Sequence, residues 1–137
     1  MSERREIQMP ETQELFEGLE AAEAVRVGDT VYVSGQVGWD KNLEPVAGGL
    51  EAQARLAFQH LKGVLEKAGA KPHHITHLQL FFVDTGQGTS FMEKVEVVFK
   101  VKKEVLPGCK AAATGVRVAE LAHPGLLFEA QAIAVVN

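Results

Sequence analysis

Apolar and polar positions alternate in several stretches of the chain, and each stretch predicts a β-strand. Within residues 31–37, Val31 and Val33 fall on one face and Tyr32 on the other, which is the period of two of a half-buried strand. Residues 24–27 form a similar run, and the short glycine-aspartate step between the two runs predicts a hairpin turn. Three further strands are predicted over residues 74–84, 112–121 and 126–136.

In two other stretches the apolar residues recur at steps of three and four, as on one stripe of an α-helix. The first runs from Leu50 to Ala68, where Gly69 provides a C-terminal cap. The second opens at Ser90 with the Ser-x-x-Glu spacing of a capping box and ends before Pro107. The order of strands, helix, strand, helix and strands predicts an α+β domain with two α-helices on one face of a mixed β-sheet.

The length of 137 residues predicts a single domain over 1–137. Residues 1–20 carry weak periodic signals, so we expect an extended lead-in there, with a short strand around Ile7 and Met9. No apolar run approaches the roughly 20 residues that span a bilayer, and the first nine residues are too charged for a signal peptide. Cys109 is the only cysteine, which excludes an internal disulfide. These features predict a cytoplasmic protein without a membrane partner.

The charge balance argues against nucleic acid as a partner. Fourteen basic residues stand against 18 acidic ones, a net charge of −4. A protein that binds a polyanion needs a basic face, and the sequence supplies no evident one. A nucleic-acid partner is therefore not expected.

The run Ser34, Gly35 and Gln36 is the first candidate for a site. A glycine inside a strand has no Cβ, so a ligand or another backbone can approach it closely. The alternative is a glycine that marks a β-bulge and bends the sheet, and both can hold at once.

Other reactive residue types in the sequence favour ordinary structural roles. His73, His74 and His77 have no carboxylate or cysteine nearby to complete a metal site, so no metal is expected. Cys109 has no histidine placed beside it by the sequence and is expected to be a passive small residue. The glycine-rich loop 86–89 lacks the lysine of a nucleotide-binding loop and favours an ordinary turn. No cofactor is expected.

Several sequence blocks together resemble the Rid superfamily, also called the YjgF/YER057c/UK114 or L-PSP endoribonuclease-like family. They occur in the family's order as VRVGD, VYVSGQ, QAR, VLEKAG, FVD and EAQAIA, at residues 25–29, 31–36, 53–55, 64–69, 82–84 and 129–134. The resemblance implies a chorismate-mutase-like α+β fold and a homotrimer with ligand clefts between subunits. In the family's deaminase branch, an arginine at the start of the penultimate strand grips a substrate carboxylate, and a glutamate on the last strand helps water to attack an imine.

This chain departs from that pattern where the arginine is expected, because Ala113 stands there. A methyl group cannot bind a carboxylate, whereas a guanidinium grips one bidentately. Lys110 lies three residues upstream and Arg117 four downstream, so either is a possible substitute cation. Two further family positions, a tyrosine and a serine that line the cleft, correspond to alanines at 21 and 22.

By resemblance, the candidate catalytic residue is Glu129, and the candidate ligand-binding residues are Ser34, Gly35, Gln36, Lys110, Ala113, Thr114 and Gly115. The favoured function is a trimer that binds a small metabolite in its interface clefts, with imine deamination disfavoured by Ala113. The alternative is a hydrolytic deaminase of an enamine, an imine or an aminomuconate-type compound, which would use Glu129 and a substitute cation. Endoribonuclease activity is a third possibility that the acidic charge balance disfavours.

Overall fold

A six-stranded mixed sheet organises the chain in the computed structural model, which describes residues 3–84, 86 and 88–137. Its spatial order is β1-β2-β3-β6-β4-β5. Strands β4 and β5 run parallel, and the other neighbouring pairs are antiparallel. The strands are β1 (Arg4–Ile7), β2 (Ala24–Val27), β3 (Thr30–Val37), β4 (Ile75–Val83), β5 (Ala112–Val118) and β6 (Phe128–Val135).

The two predicted helices are confirmed as α2 (Gly49–Lys67) and α3 (Phe91–Val105). Helix α2 ends before Gly69, whose φ of 85° is the left-handed conformation that a glycine cap adopts at least cost. Helix α3 begins with the predicted capping box, in which the Glu93 amide donates to Ser90 Oγ at 3.2 Å. Two short 3-10 turns, Pro10–Thr12 and Pro72–His74, complete the helical segments together with the helix α1 (Gln13–Leu19). No helix in the described part of the chain is long and apolar enough to cross a membrane.

The hydrophobic core lies between one face of the sheet and the helices α2 and α3. Every second residue of β6 is buried from Phe128 onward, which confirms the predicted alternation. Phe128 packs edge-to-face on Phe58 of α2 and on Phe82 of β4, with ring centroids 5.4 Å apart in both pairs. We call this face of the sheet the inner face and the opposite face the outer face.

The short strand expected around Ile7 and Met9 is found as β1, which ends at Ile7. The prediction of an extended lead-in over residues 1–20 is wrong in its second half, where α1 forms. Its helix has only seven residues, too few turns to give a visible helical period in the sequence. The helix ends where Glu20 adopts a φ of 53° and the Ala21 amide donates to the Phe16 carbonyl at 2.9 Å. The predicted hairpin of β2 and β3 is confirmed, whereas β5 and β6 are each shorter than predicted.

Gln53 fixes the start of β6 against α2. Its side chain is buried, its Nε2 donates to the Gly125 carbonyl at 3.0 Å, and its Oε1 accepts from the Leu127 amide at 2.7 Å. The helix can approach this closely because Gly38 lies under it: a Cβ at residue 38 would fall 2.4 Å from the Gln53 carbonyl oxygen. These contacts set the position of Glu129, two residues beyond Leu127.

Candidate functional site

Glu129 and Gly35 lie against each other on the outer face of the sheet. Strand β3 carries an irregularity between Val33 and Gln36, and Gly35 falls within it. A Cβ at residue 35 would lie 2.3 Å from Glu129 Oε2. The carboxyl group therefore occupies the space that any other residue at position 35 would need.

The environment of Glu129 suits a group that exchanges protons. The side chain is half-buried, and this loss of hydration raises the pKa of its carboxyl group above the ordinary value. Within the described part of the chain, no group donates a hydrogen bond to this carboxyl. A carboxyl group with a raised pKa and free lone pairs can accept or return a proton closer to neutral pH than an ordinary glutamate.

Ser34 and Gln36 have different contacts and positions from Gly35. The Ser34 hydroxyl donates to the Ala22 carbonyl at 2.7 Å, so it holds the irregular part of β3 against the segment before β2. Gln36 is buried and pairs in register with Ala130, which places it on the inner face. The predicted run of three ligand-binding residues is therefore divided between the two faces of the sheet.

The candidates on β5 lie at an open edge of the sheet. Thr114 pairs with Gln79 of β4, so it shares the outer face with Glu129 but lies two strands away, roughly 10 Å across the sheet. Ala113 and Gly115 pair with Leu78 and Leu80, whose buried side chains mark the inner face.

All three of these β5 residues are exposed, and so is Lys110, which precedes the strand. One subunit therefore brings Gly35 and Glu129 together, but not Lys110 or the β5 candidates.

Arg117, one of the two candidate substitute cations, is engaged at the far end of β5. Its Nη2 donates to the Asp84 carbonyl at 3.3 Å, and its Nε lies 3.9 Å from Asp84 Oδ2. Within one subunit its guanidinium is thus directed toward Asp84.

A second polar centre, which the sequence did not indicate, surrounds Glu23. Residues 11–23 contain five glutamates, of which residues 11, 14, 17 and 20 are exposed, but Glu23 is only 2% exposed. Its carboxyl accepts hydrogen bonds from the side chains of Gln8, Thr12 and Gln36 and from the Met9 amide. A glutamate next to the first residue of a strand was the only signal, and it did not distinguish this residue from its solvated neighbours.

The remaining reactive side chains form no evident centre. His73 and His74 stack with ring centroids 4.1 Å apart, and no group of three or more potential metal ligands occurs in residues 3–84, 86 and 88–137. Cys109 is buried, which raises the pKa of its thiol. The predicted turn at 86–89 includes Gln87, which lies outside the described residues.

A family model and curated relatives match this chain. The family model described as endoribonuclease L-PSP matches residues 20–136. The mouse protein named 2-iminobutanoate/2-iminopropanoate deaminase is 30% identical over 115 residues, 83% of this chain and 79% of the mouse protein. A protein of the same name from the mite Dermatophagoides farinae is 39% identical over 61 residues, a match of 44% of this chain and about half (48%) of the mite protein.

Solved structures agree with this assignment. The structure of protein YJGH is 30% identical, with a TM-score of 0.79 and coverage of 98% of this chain and 97% of that one. Rv2704 from Mycobacterium tuberculosis, a member of the YjgF/YER057c/UK114 family, has the same fold. Its TM-score is 0.80 at 24% identity, and the match covers 98% of this chain and 100% of Rv2704. The chain therefore belongs to the endoribonuclease L-PSP family, which is also called the YjgF/YER057c/UK114 or Rid family.

Proposed function

We propose that this chain forms a cytoplasmic homotrimer that binds a small metabolite in clefts between its subunits, with Glu129 in each cleft and no cation at Ala113. The observation that carries the proposal is the half-buried Glu129 carboxyl, which has no donor within the described subunit and lies over Gly35. Such a group is poised to orient water or to accept a hydrogen bond from a ligand.

The proposed interface is the outer face together with the β5 edge. Tyr32 is 50% exposed on this face, and Phe81 and Ile133 are only half-buried there. The first residues of β5 are small and uncharged, so they lack the charges and prolines that usually protect an edge strand. A neighbouring subunit packed on these surfaces would cover them, and it would also bring Thr114 of one chain toward Glu129 of another.

The residues at positions 113 and 117 limit the kind of metabolite that the cleft can bind. Ala113 is exposed and offers no charge, and Arg117 is directed toward Asp84. A ligand held mainly through a free carboxylate would need a guanidinium or ammonium group at this place. The proposed ligand is therefore a polar molecule that does not depend on a carboxylate for binding.

Two measurements test this proposal. Light scattering at micromolar concentration should give the mass of a trimer, and a monomer would remove the shared cleft. Thermal unfolding with 2-oxobutanoate as the probe should show little protection of the wild type and clear protection of the Ala113→Arg variant. Equal protection of both proteins would contradict the proposed role of residue 113.

A second candidate function is hydrolytic deamination, because Glu129 has a raised pKa and the mouse and mite relatives are named for that activity. In this reaction water adds to the C=N carbon while Glu129 takes one of its protons, and the π electron pair moves to nitrogen. Glu129 returns that proton to nitrogen; the remaining hydroxyl proton also goes to nitrogen as the C–N bond breaks, so ammonia leaves and the C=O bond forms. The substrate would be an imine or an enamine, and Lys110 from the same or a neighbouring chain would be the substitute cation. Loss of activity in both Glu129→Ala and Lys110→Ala would support this candidate.

Endoribonuclease activity has the least support. The net charge is −4, and the outer-face residues of β4, β5 and β6 nearest Glu129 are uncharged, namely Gln79, Phe81, Thr114, Val116 and Gln131. Phosphate groups would meet a carboxyl and amides at this surface, which is not a polyanion site.

A further inference from the structure

A cavity of about 420 Å³ lies on the helix side of the chain, away from Glu129. Its walls come from the segment before α1, from the end of β3 with the loop that follows, and from α2. It is separate from the proposed cleft because Gln36, which lines it, belongs to the inner face. Nothing in the proposed function uses this cavity.

Several hydrogen-bond acceptors lie in the polar wall of the cavity. Glu23 is 2% exposed and lines the cavity, and the structure shows no lysine, arginine or histidine paired with its carboxyl among the described residues. Gln36 uses its Nε2 to donate to Glu23 and to the Ser34 carbonyl, so its Oε1 remains available as an acceptor. The Glu23 Oε1 atom accepts from Gln8, Met9 and Thr12, whereas Oε2 accepts only from Gln36, so Oε2 can accept a further hydrogen bond from a cation.

His60 adds a further acceptor. Its Nδ1 lies 3.0 Å from the Val37 carbonyl oxygen, and because a carbonyl only accepts, Nδ1 must carry the proton. The other ring nitrogen, Nε2, is then an acceptor on the neutral ring, and His60 lines the cavity.

The rest of the wall suits an apolar body. Met9, Trp39, Leu43, Leu56 and Val64 line the cavity. The indole of Trp39 can also attract a cation through its face. Two exposed carboxylates, Glu11 and Asp40, and one lysine, Lys41, lie at the walls, so the fixed charge around the cavity favours a positive ligand.

Gly63 keeps this space open. It lies within α2, where a glycine is less favourable than alanine by roughly 1 kcal/mol, so the helix itself gains nothing from it. A Cβ at residue 63 would meet only Met9 Cε, at 3.6 Å, which is an ordinary contact. A larger side chain at this position would extend into the cavity.

We propose that this cavity is a second ligand site, which binds a small amine whose ammonium group is held by Glu23, Gln36 and His60 and whose apolar body packs against Trp39 and Leu56. Residues 9–12 are part of the site, since the Met9 amide and the Thr12 hydroxyl donate hydrogen bonds to the Glu23 carboxyl. The proposal does not depend on Glu129 or on the trimer.

The test uses 2-phenylethylamine as the probe and 2-phenylethanol as a neutral molecule of similar shape. Isothermal titration at pH 7 should show that the amine binds the wild type roughly tenfold or more tightly than the alcohol, because a hydrogen bond to a charged group is stronger than a neutral one. The Gly63→Leu variant should lose binding of the amine. The matched control is Gly18→Leu, because residue 18 of α1 has nothing within 4 Å of its Cβ position and does not line the cavity.

Each outcome decides the proposal. Absence of amine binding to the wild type, or undiminished binding to Gly63→Leu, would overturn the site, and equal affinity for amine and alcohol would overturn the role of Glu23. Glu23→Gln should abolish the preference for the amine, and because this variant alters a buried hydrogen-bond network, its folding must be checked by circular dichroism. Glu129→Gln should bind the amine as the wild type does, which separates this site from the proposed cleft.

Discussion

The carboxyl of Glu129 lies over Gly35, so close that a Cβ at residue 35 would be 2.3 Å from Glu129 Oε2. This arrangement shields the carboxyl from water on one side and leaves its lone pairs without a donor in the described subunit. The glycine at position 35 therefore leaves the space that the Glu129 side chain of β6 occupies.

Replacing this glycine should change the ionisation of Glu129. In Gly35→Ala the new methyl group displaces the end of a flexible side chain, so the carboxyl moves toward water and its pKa falls toward the ordinary value. Carbon-detected NMR titration of the glutamate carboxyls would measure the change. Gly18→Ala is the control, because it adds a methyl group in open space. An unchanged Glu129 titration in Gly35→Ala would show that the contact does not determine the pKa.

The same pKa shift predicts the pH dependence of stability. Because the folded-state pKa of Glu129 is raised above the ordinary value of 4.5, its protonated form favours the folded state, and this contribution is fully present only below about pH 4.5. It is lost as the pH rises through the folded-state pKa. Urea unfolding should therefore show Glu129→Gln gaining free energy of unfolding relative to the wild type between pH 4 and pH 8. A constant difference across that range would contradict the shift.

Gly38 should be intolerant of substitution for a different reason. In Gly38→Ala the methyl group would collide with the backbone of Gln53, at 2.4 Å from its carbonyl oxygen and 2.5 Å from its Cα, and a helix backbone cannot yield as a side-chain end can. We expect a loss of about 2 kcal/mol or more in the free energy of unfolding. Gly63→Ala in α2 is the matched control and should instead stabilise by about 0.5–1 kcal/mol, since its Cβ meets only Met9 Cε at 3.6 Å. Similar midpoints of urea unfolding for the two variants would refute the close packing of α2 on residue 38.

The sequence predicted the elements with strong periodicity and missed those set by tertiary contacts. Helices α2 and α3 were predictable because their apolar stripes extend over several turns and have clear caps. Helix α1 was not predictable, because seven residues show little period.

The strands that carry the candidate site residues were predictable, but the arrangement of these residues was not. A strict alternation would place Gln36 on the face of Tyr32, but the irregularity between Val33 and Gln36 moves it to the inner face. For the same reason Gly35, and not Gln36, meets Glu129. The burial of Glu23 depends on Gln8, Thr12 and Gln36, which come from separate parts of the chain, so no local pattern could reveal it.

The most direct test of the proposed function is ammonia release from freshly generated 2-iminobutanoate. The missing cation at residue 113 predicts that the wild type releases ammonia at a rate close to the spontaneous one, and that Ala113→Arg accelerates the release in a way that a further Glu129→Ala substitution abolishes. A wild-type rate far above the spontaneous one that falls in Glu129→Ala would contradict this account and identify the protein as an active imine deaminase.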